Sequence, residues 1–412
     1  MAEAITPRGT VVCRVCGADD LVSVLDLGDQ PLSNDMGLTA DEVLPAYPLH
    51  LRICARCGLG QVGEFVLPER IFGDNYPYLS STSTSWVEHA RRYAEELAGS
   101  LDLAEGHLVV EVASNDGYLL SQFQQLGVAV LGVEPARNVA RLAMEAGVPT
   151  IAEFFGRATA AAIVAEHGHP RLVAANNVMA HVPDLHDFVA GLAELADDDT
   201  VITVENPSLM SLLVEAQFDT IYHEHYSYLT AHAVRAVVRD HGLDLVRVEQ
   251  LPTHGGSNRY WIRRTGSPDE SVDRTVEDER RLGLFDPAVW ESFAGRSRAA
   301  IDGLSDWLDE QAAAGRTVAG YGAAAKGNTF LNAVGDPARA LAYVVDGSAE
   351  KQGKFLPGTR VPVLAPEALA ERAVDEVVIL PWNLAVELGA LVHQLAPQAR
   401  SWVAIPQMAQ LP

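Results

Sequence analysis

The densest group of proton-handling side chains in the sequence is the run Tyr222-His-Glu-His225-Tyr-Ser-Tyr. It follows Glu205-Asn-Pro, beyond the carboxyl end of a predicted strand. Alkylation of carbon asks for two groups: a base that removes a proton beside a carbonyl, and a donor that holds the enolate oxygen. Histidine titrates near neutrality and suits the first role; tyrosine suits the second. A His-x-His spacing can also hold a metal, but no further ligand is evident beside it. A single histidine is more often a packed or surface side chain, so it is the whole run that points to function.

A second motif could seat a cofactor. Glu111-Val-Ala-Ser-Asn-Asp-Gly117 closes a predicted strand with a turn of small polar residues, and a helix opens at Tyr118-Leu-Leu. Open parallel sheets bind ligands at such turns. Glu134 ends the next predicted strand, 23 residues after Glu111, where a carboxylate can accept both ribose hydroxyls. Glu111, Ala113, Ser114, Asn115, Asp116 and Glu134 are therefore candidate cofactor contacts, joined by Asn176 and Asn177 after the strand at 172–175. The turn lacks the Gly-x-Gly-x-x-Gly that cradles a dinucleotide pyrophosphate. S-adenosylmethionine has no phosphate, so the absence fits that cofactor. Any α/β unit has such turns, and this is the plainer alternative.

Two Cys-x-x-Cys-Gly knuckles, Cys13/Cys16 and Cys54/Cys57, hold all the cysteines. The spacing lets a tight turn aim both thiolates at one ion, and four sulfurs leave no open position. A structural Zn2+ is expected, as the staple of a turn-rich segment too small for a substantial core.

Periodicity supplies the elements that must carry these groups. Apolar runs at 108–113, 129–134, 172–175 and 201–205 alternate with alanine-rich helical stretches, the pattern of a parallel sheet with crossover helices. Ser85 and Glu88 predict a capping box opening a helix that Gly99 ends. Residues 206–265 read as an appendage to this unit, with a helix from about Thr230 and strands near 243–248 and 259–264. Residues 270–314 read as helical, and strand–helix alternation returns from 316 onward. The predicted organisation is a unit at 1–75, a second at 76–265 and a third at 266–412.

The formal charge of −25 disfavours nucleic acid and anionic membranes as partners. No stretch reaches the length of a membrane span, and Met1-Ala-Glu-Ala-Ile-Thr-Pro lacks the basic start and apolar run of a signal peptide. A cytoplasmic protein is expected, and a monomer, since no long apolar repeat demands a partner.

With these motifs together, the chain resembles the sugar C-methyltransferases of deoxysugar biosynthesis, which make the 3-C-methyl sugars of antibiotics. The resemblance covers essentially the whole chain. It rests on the two knuckles, Glu-x-x-Ser-Asn-Asp-Gly, Tyr-His-Glu-His-x-x-Tyr and a later Gly-Tyr-Gly-Ala-Ala-Ala-Lys-Gly. Ala113 departs from it, where the family often has glycine. It implies an α/β fold in three parts: an N-terminal zinc-binding domain, a central Rossmann-like S-adenosylmethionine methyltransferase domain and a C-terminal Rossmann-like domain. It implies a dTDP-linked 4-keto-6-deoxysugar methylated at C3. By the same resemblance His225 takes the C3 proton, Tyr222 sits beside the enolate oxygen, and Glu224 orients or tunes the pair. His181 and Tyr76 line the pocket, and the segment carrying Asn75-Tyr-Pro-Tyr78 folds over the substrate.

Two other readings compete. Gly320-Tyr-Gly322-Ala-Ala-Ala325 is an allowed variant of the dinucleotide fingerprint, with Asp346 ending the next strand, so a nicotinamide-dependent sugar oxidoreductase with a zinc module is the main rival. A zinc-dependent binding module without chemistry would leave the Tyr222–Tyr228 run unexplained. Lys326, Lys351 and Lys354 are candidate phosphate contacts for the substrate; for the latter two, solvated surface lysines are an equal alternative.

Overall fold

The computed structural model describes residues 11–73 and 76–412. The reading of the N-terminal residues 1–7, and Asn75 at the start of the folding-over segment, lie outside the described residues. The described strands, in chain order, are β1 (Leu21–Pro31), β2 (Ala46–Cys54), β3 (Gly60–Gln61), β4 (Leu108–Val112), β5 (Ala129–Val133), β6 (Thr150–Ile151), β7 (Leu172–Asn176), β8 (Val201–Pro207), β9 (Ser227–Tyr228), β10 (Asp244–Leu251), β11 (Ser257–Arg263), β12 (Val318–Tyr321), β13 (Leu341–Val345), β14 (Val363–Leu364), β15 (Glu376–Ile379), β16 (Arg400–Val403) and β17 (Ala409–Gln410). They form three sheets, ordered β1-β2-β3-β9, β10-β11-β8-β7-β4-β5-β6 and β14-β13-β12-β15-β16-β17.

The central sheet is parallel from β6 through β5, β4 and β7 to β8. Val109, Val110 and Val112 of β4 are fully buried, as a strand covered on both faces requires. The chain runs β4 to β6 in one direction and β7 to β8 in the other, so the strand order reverses between β4 and β7. Ligands settle at such a reversal, outside the carboxyl ends of the strands. Residues 206–265 are less of an appendage than their sequence indicates. β11 pairs antiparallel with β8, and β10 with β11, so both strands complete the central sheet. The short β9 goes elsewhere and pairs antiparallel with β3 of the N-terminal sheet.

The helix Thr84–Ser100 is capped by Ser83, whose hydroxyl accepts from Trp86 N at 3.3 Å. The expected Ser85/Glu88 box does not form. Arg91 and Arg92 lie one turn on and take the Glu88 carboxylate at 2.7 and 2.9 Å, a stronger offer than a cap amide. The later helix at Ala231–Asp240 starts where expected, with Thr230 as its cap.

The three sheets share hydrophobic cores. One cluster joins the cysteine knuckles to a face of the central sheet and to the Ala231–Asp240 helix. A second joins the N-terminal sheet to the 27-residue helix Pro287–Ala313 and to the C-terminal sheet. No helix among the described residues is long and apolar enough to cross a membrane.

Candidate active site

The N-terminal knuckles brace the loop that bears Tyr222 and His225. The four sulfurs of Cys13, Cys16, Cys54 and Cys57 lie within 4.8 Å of one another, with Cys13–Cys57 at 3.4 Å and Cys16–Cys54 at 3.5 Å. Those separations suit a tetrahedral shell of thiolates about one Zn2+, and the set leaves no place for substrate. Arg14, inside the first knuckle, donates its guanidinium to the carbonyls of Val62 at 2.9 Å and Tyr226 at 2.8 Å. Val62 N donates to the same Tyr226 carbonyl at 3.1 Å. Arg14 is not legible from the sequence as a bracing residue, because its partners are carbonyls, and a carbonyl carries no residue signature.

The run 222–228 therefore hangs between β3, through β9, and a short helical turn at Phe218–Thr220. Within it, Tyr222 Oη and His225 Nε2 are 2.8 Å apart, with rings 4.0 Å between centroids. His225 Nδ1 lies 3.0 Å from the carbonyl of Thr220. A carbonyl only accepts, so Nδ1 carries the proton and Nε2 presents its lone pair to the Tyr222 hydroxyl. Burial, with the nearby His181, Lys326 and His254, holds His225 well below the usual histidine range, so it is neutral at physiological pH. Tyr222 is held well above its ordinary value by burial, then by Glu224.

His181 reaches the same place from the turn after β7. Its ring meets His225 edge-on at 4.6 Å and Phe72 at 5.7 Å, and burial lowers it to about 4. Phe72 in turn meets the tilted ring of Tyr76 at 5.4 Å. Glu224 is buried, and both its carboxylate oxygens accept from Asn34 Nδ2 at 2.8 Å. Burial raises this carboxyl to about 7, while Asn34 and the charge of Lys351 oppose the rise. His181, Tyr222, Glu224 and His225 are thus brought together, with Tyr76 alongside: the charge of Glu224 is felt at the Tyr76 phenol. Asn34 and Thr220 were not foreseen. Asn34 lies 190 residues from its partner, and Thr220 contributes only backbone.

The second cluster lies at the carboxyl ends of β4, β5 and β7. Glu134 accepts from Asn115 N at 3.0 Å and Ala136 N at 2.8 Å, and burial raises it to about 7. The Asn115 side chain is itself engaged. It accepts from Ser80 N at 2.8 Å and donates to the Tyr78 carbonyl at 3.2 Å, while Asp116 accepts from Ser81 N at 3.2 Å. These bonds fold the segment after Tyr76 over the turn at Asn115–Asp116. Ala113 and Asn115 both sit in the left-handed region, at φ 57° and 49°. For alanine that conformation costs about 1 kcal/mol, which explains why glycine suits the place.

What remains open is rich in acceptors. Ser114 Oγ and one side-chain oxygen each of Asp116, Asn176 and Asn177 are buried without a partner, and Glu111 lies buried beside the Tyr118 hydroxyl, its carboxyl held well above the usual range by burial. Such a ring welcomes a ligand that brings N–H and O–H donors and positive charge, and it repels a pyrophosphate. S-adenosylmethionine, with its ammonium, ribose hydroxyls and sulfonium, fits these residues.

The C-terminal fingerprint turn is occupied from within. Ala323 N donates to Asp346 Oδ2 at 2.7 Å and Ser348 N to Oδ1 at 2.8 Å, with Lys351 Nζ 3.7 Å away. Asp346 is thus engaged by two amides of its own turn and by the charge of Lys351. Lys351 Nζ also donates to the Ala323 carbonyl at 2.8 Å, and Lys326 Nζ to Asn383 Oδ1 at 2.7 Å. Among the described contacts none joins the Lys354 side chain to the site.

A parallel sheet with an acceptor-lined crevice, set beside a desolvated imidazole, is the construction of a methyl-transferring enzyme. Family models agree along the chain: a zinc binding domain at 13–72, a methyltransferase domain at 86–248 and a C-methyltransferase C-terminal domain at 252–406. The chain is 35% identical over 381 residues to the C-methyltransferase NovU of Streptomyces niveus, covering 91% of this chain and 90% of that one. It belongs to the C-methyltransferase family, as an S-adenosylmethionine-dependent enzyme with a zinc-binding N-terminal part. Solved structures similar to part of it include magnesium protoporphyrin IX methyltransferase from Synechocystis PCC 6803, at 17% identity, 48% of this chain, 89% of that one and a TM-score of 0.34. The CcbJ methyltransferase of Streptomyces caelestis matches at 13% identity, 43% of this chain, 90% of that one and a TM-score of 0.33.

Proposed function

We propose that the enzyme methylates C3 of a dTDP-linked 4-keto-6-deoxysugar, in the cytoplasm and as a monomer, toward an antibiotic sugar. The observation that carries this reading is the His225 tautomer: Nδ1–H is tied to the Thr220 carbonyl at 3.0 Å, so Nε2 carries the lone pair of a neutral, half-buried ring, beside the Tyr222 hydroxyl. A C–H beside a ketone is acidic enough for such a base. The cofactor, when bound at the Glu111–Asp116 turn, supplies an electrophilic methyl group on its sulfonium.

The residues of the chain then do the following. His225 Nε2 takes the C3 proton. The Tyr222 hydroxyl, which lies against Nε2 at 2.8 Å, turns to the C4 oxygen and donates to the enolate. Glu224, in its ionised form, orients the sugar within the cluster, with His181 and Tyr76 as walls. The proton leaves His225 to solvent after transfer. Glu224 is buried, and the half-buried imidazoles and phenol around it limit the water that would otherwise quench the enolate.

For the cofactor, Glu134 and the Asn115–Asp116 turn serve the ribose side, and Ala113 and Ser114 form its floor. Glu111, Asn176 and Asn177 offer acceptors to the ammonium end. Tyr76 and Tyr78 close over the substrate. Lys326 and Lys351 exchange their internal partners for the substrate's phosphates, and Lys354 stands further out as a weaker contact. The parts would be residues 1–75, 76–265 and 266–412. Incubation with S-adenosylmethionine and a dTDP-4-keto-6-deoxysugar should yield S-adenosylhomocysteine and a sugar heavier by one methyl, with the C3 hydrogen lost. A product that keeps its C3 hydrogen, or no product, would refute the assignment.

A further inference from the structure

The Thr220 carbonyl, which also accepts from Tyr228 Oη at 3.4 Å, fixes the protonation pattern of His225, and the side chain of the residue before it is held by the C-terminal part of the chain. Asp219, its neighbour, is fully buried, and Asp219 Oδ2 accepts from Trp382 Nε1 at 2.8 Å. Trp382 follows β15, so it stands in the crevice where a doubly wound sheet would otherwise receive a ligand. Its ring carries Lys326 Nζ at 4.8 Å from the centroid, and the charge of Lys326 reaches Asp219. Phe218 packs edge-on against Phe330 at 5.0 Å. Trp382 also presses on the turn that bears His254: a Cβ on Gly255 would come within 2.4 Å of the indole. Gln217 Nε2 closes the loop by donating to the Gly255 carbonyl at 2.7 Å. Burial raises Asp219 to about 6, and Lys326 and the indole N–H oppose that rise, so the contact favours the ionised acceptor.

We propose that Trp382 is a positioning residue for the methyl transfer: its N–H holds Asp219, which sets the Thr220 carbonyl and through it the tautomer and aim of His225. This rests on His225 being the base. It makes the C-terminal crevice a clamp on the reaction loop, formed by a side chain of the chain itself where a nucleotide could have bound. The order of action is Trp382 to Asp219, Asp219 to the 218–220 turn, and Thr220 O to His225 Nδ1–H at 3.0 Å.

The test is ring 15N NMR of histidine-labelled, zinc-loaded full-length protein, with His225 assigned from the spectrum of His225→Asn. Wild type should show a protonated Nδ1 and a bare Nε2. Trp382→Phe keeps the ring over Lys326 and loses only the N–H. It should give a mixed tautomer and a kcat lower by on the order of tenfold, with KM, S-adenosylhomocysteine affinity and melting temperature unchanged. Asp219→Leu, which leaves the indole N–H without its acceptor, should give the same mixed tautomer and a comparable fall in kcat. A wild-type tautomer in Trp382→Phe would overturn the proposal, whatever its kcat. So would a mixed tautomer with full kcat, or a wild-type tautomer in Asp219→Leu. Activity surviving in His225→Asn would instead strike the assignment of the base and leave the spectroscopic result standing.

Discussion

Arg14 donates to the carbonyl of Tyr226 at 2.8 Å, which ties the first cysteine knuckle directly to the loop of Tyr222 and His225. The zinc site is thus remote in chemistry but adjacent in mechanics. The β3–β9 ladder, with Gly60 opposite Tyr228 and Gln61 opposite Ser227, adds the second tie.

Metal removal should therefore cost activity through geometry. Chelation, or Cys57→Ser, should lower the melting temperature and abolish turnover together. Arg14→Met should keep zinc by elemental analysis yet lower kcat on the order of tenfold, since charged hydrogen bonds of this kind contribute about 1.5–3 kcal/mol. Wild-type kcat in zinc-loaded Arg14→Met would remove the mechanical link.

His225→Asn should reduce methyl transfer by at least about 10²–10³, with S-adenosylhomocysteine affinity, read by calorimetry, within about twofold of wild type. Exchange of the C3 hydrogen with solvent deuterium should stop in the same variant. Tyr222→Phe should slow transfer by about ten- to a hundredfold while leaving that exchange detectable. Normal turnover in His225→Asn would mean another group is the base.

The pH profile should report Glu224. Its carboxyl is raised to about 7 by burial, so the ionised form grows in as pH rises through that value. His225 is depressed well below its ordinary range and is already neutral there, so it does not set the limb. The expected kcat rises through about pH 7 and then levels. Asn34→Ala removes the donor to both oxygens, which favours the protonated carboxyl, and should move the limb upward by on the order of one pH unit. An unmoved limb would show that some other group titrates.

Ala113 offers a stability test at the cofactor turn. With φ at 57°, Ala113→Gly should relieve left-handed strain and stabilise the zinc-loaded protein by about 0.5–1 kcal/mol. Thermal unfolding should show the gain. A fall would mean the Ala113 methyl contributes more by packing than its backbone loses.

The chemistry-bearing motifs were legible because each is local. A Cys-x-x-Cys turn, a strand ending in a small polar bend and a seven-residue run of phenols, imidazoles and a carboxylate declare themselves by type and spacing. The strands at 108–112, 129–133, 172–176 and 201–207 were legible as apolar runs for the same reason. The cap falls on Ser83 and not on Ser85, since Ser83-Thr-Ser85 offers equivalent hydroxyls and only the arginines one turn on decide where Glu88 goes.

Tertiary structure alone decided the rest. It set β9 beside β3, completed the central sheet with β10 and β11, and turned Asp346 inward. It delivered Asn34 to Glu224 across 190 residues and Trp382 to Asp219 across 163. Partners so far apart share no period, and the carbonyls of Thr220 and Tyr226 would be the same atom in any residue. The sequence determined which groups could remove a proton and which could hold a metal or a cofactor. Folding determined which nitrogen of His225 is free to act, because a tautomer is chosen by the neighbour it meets.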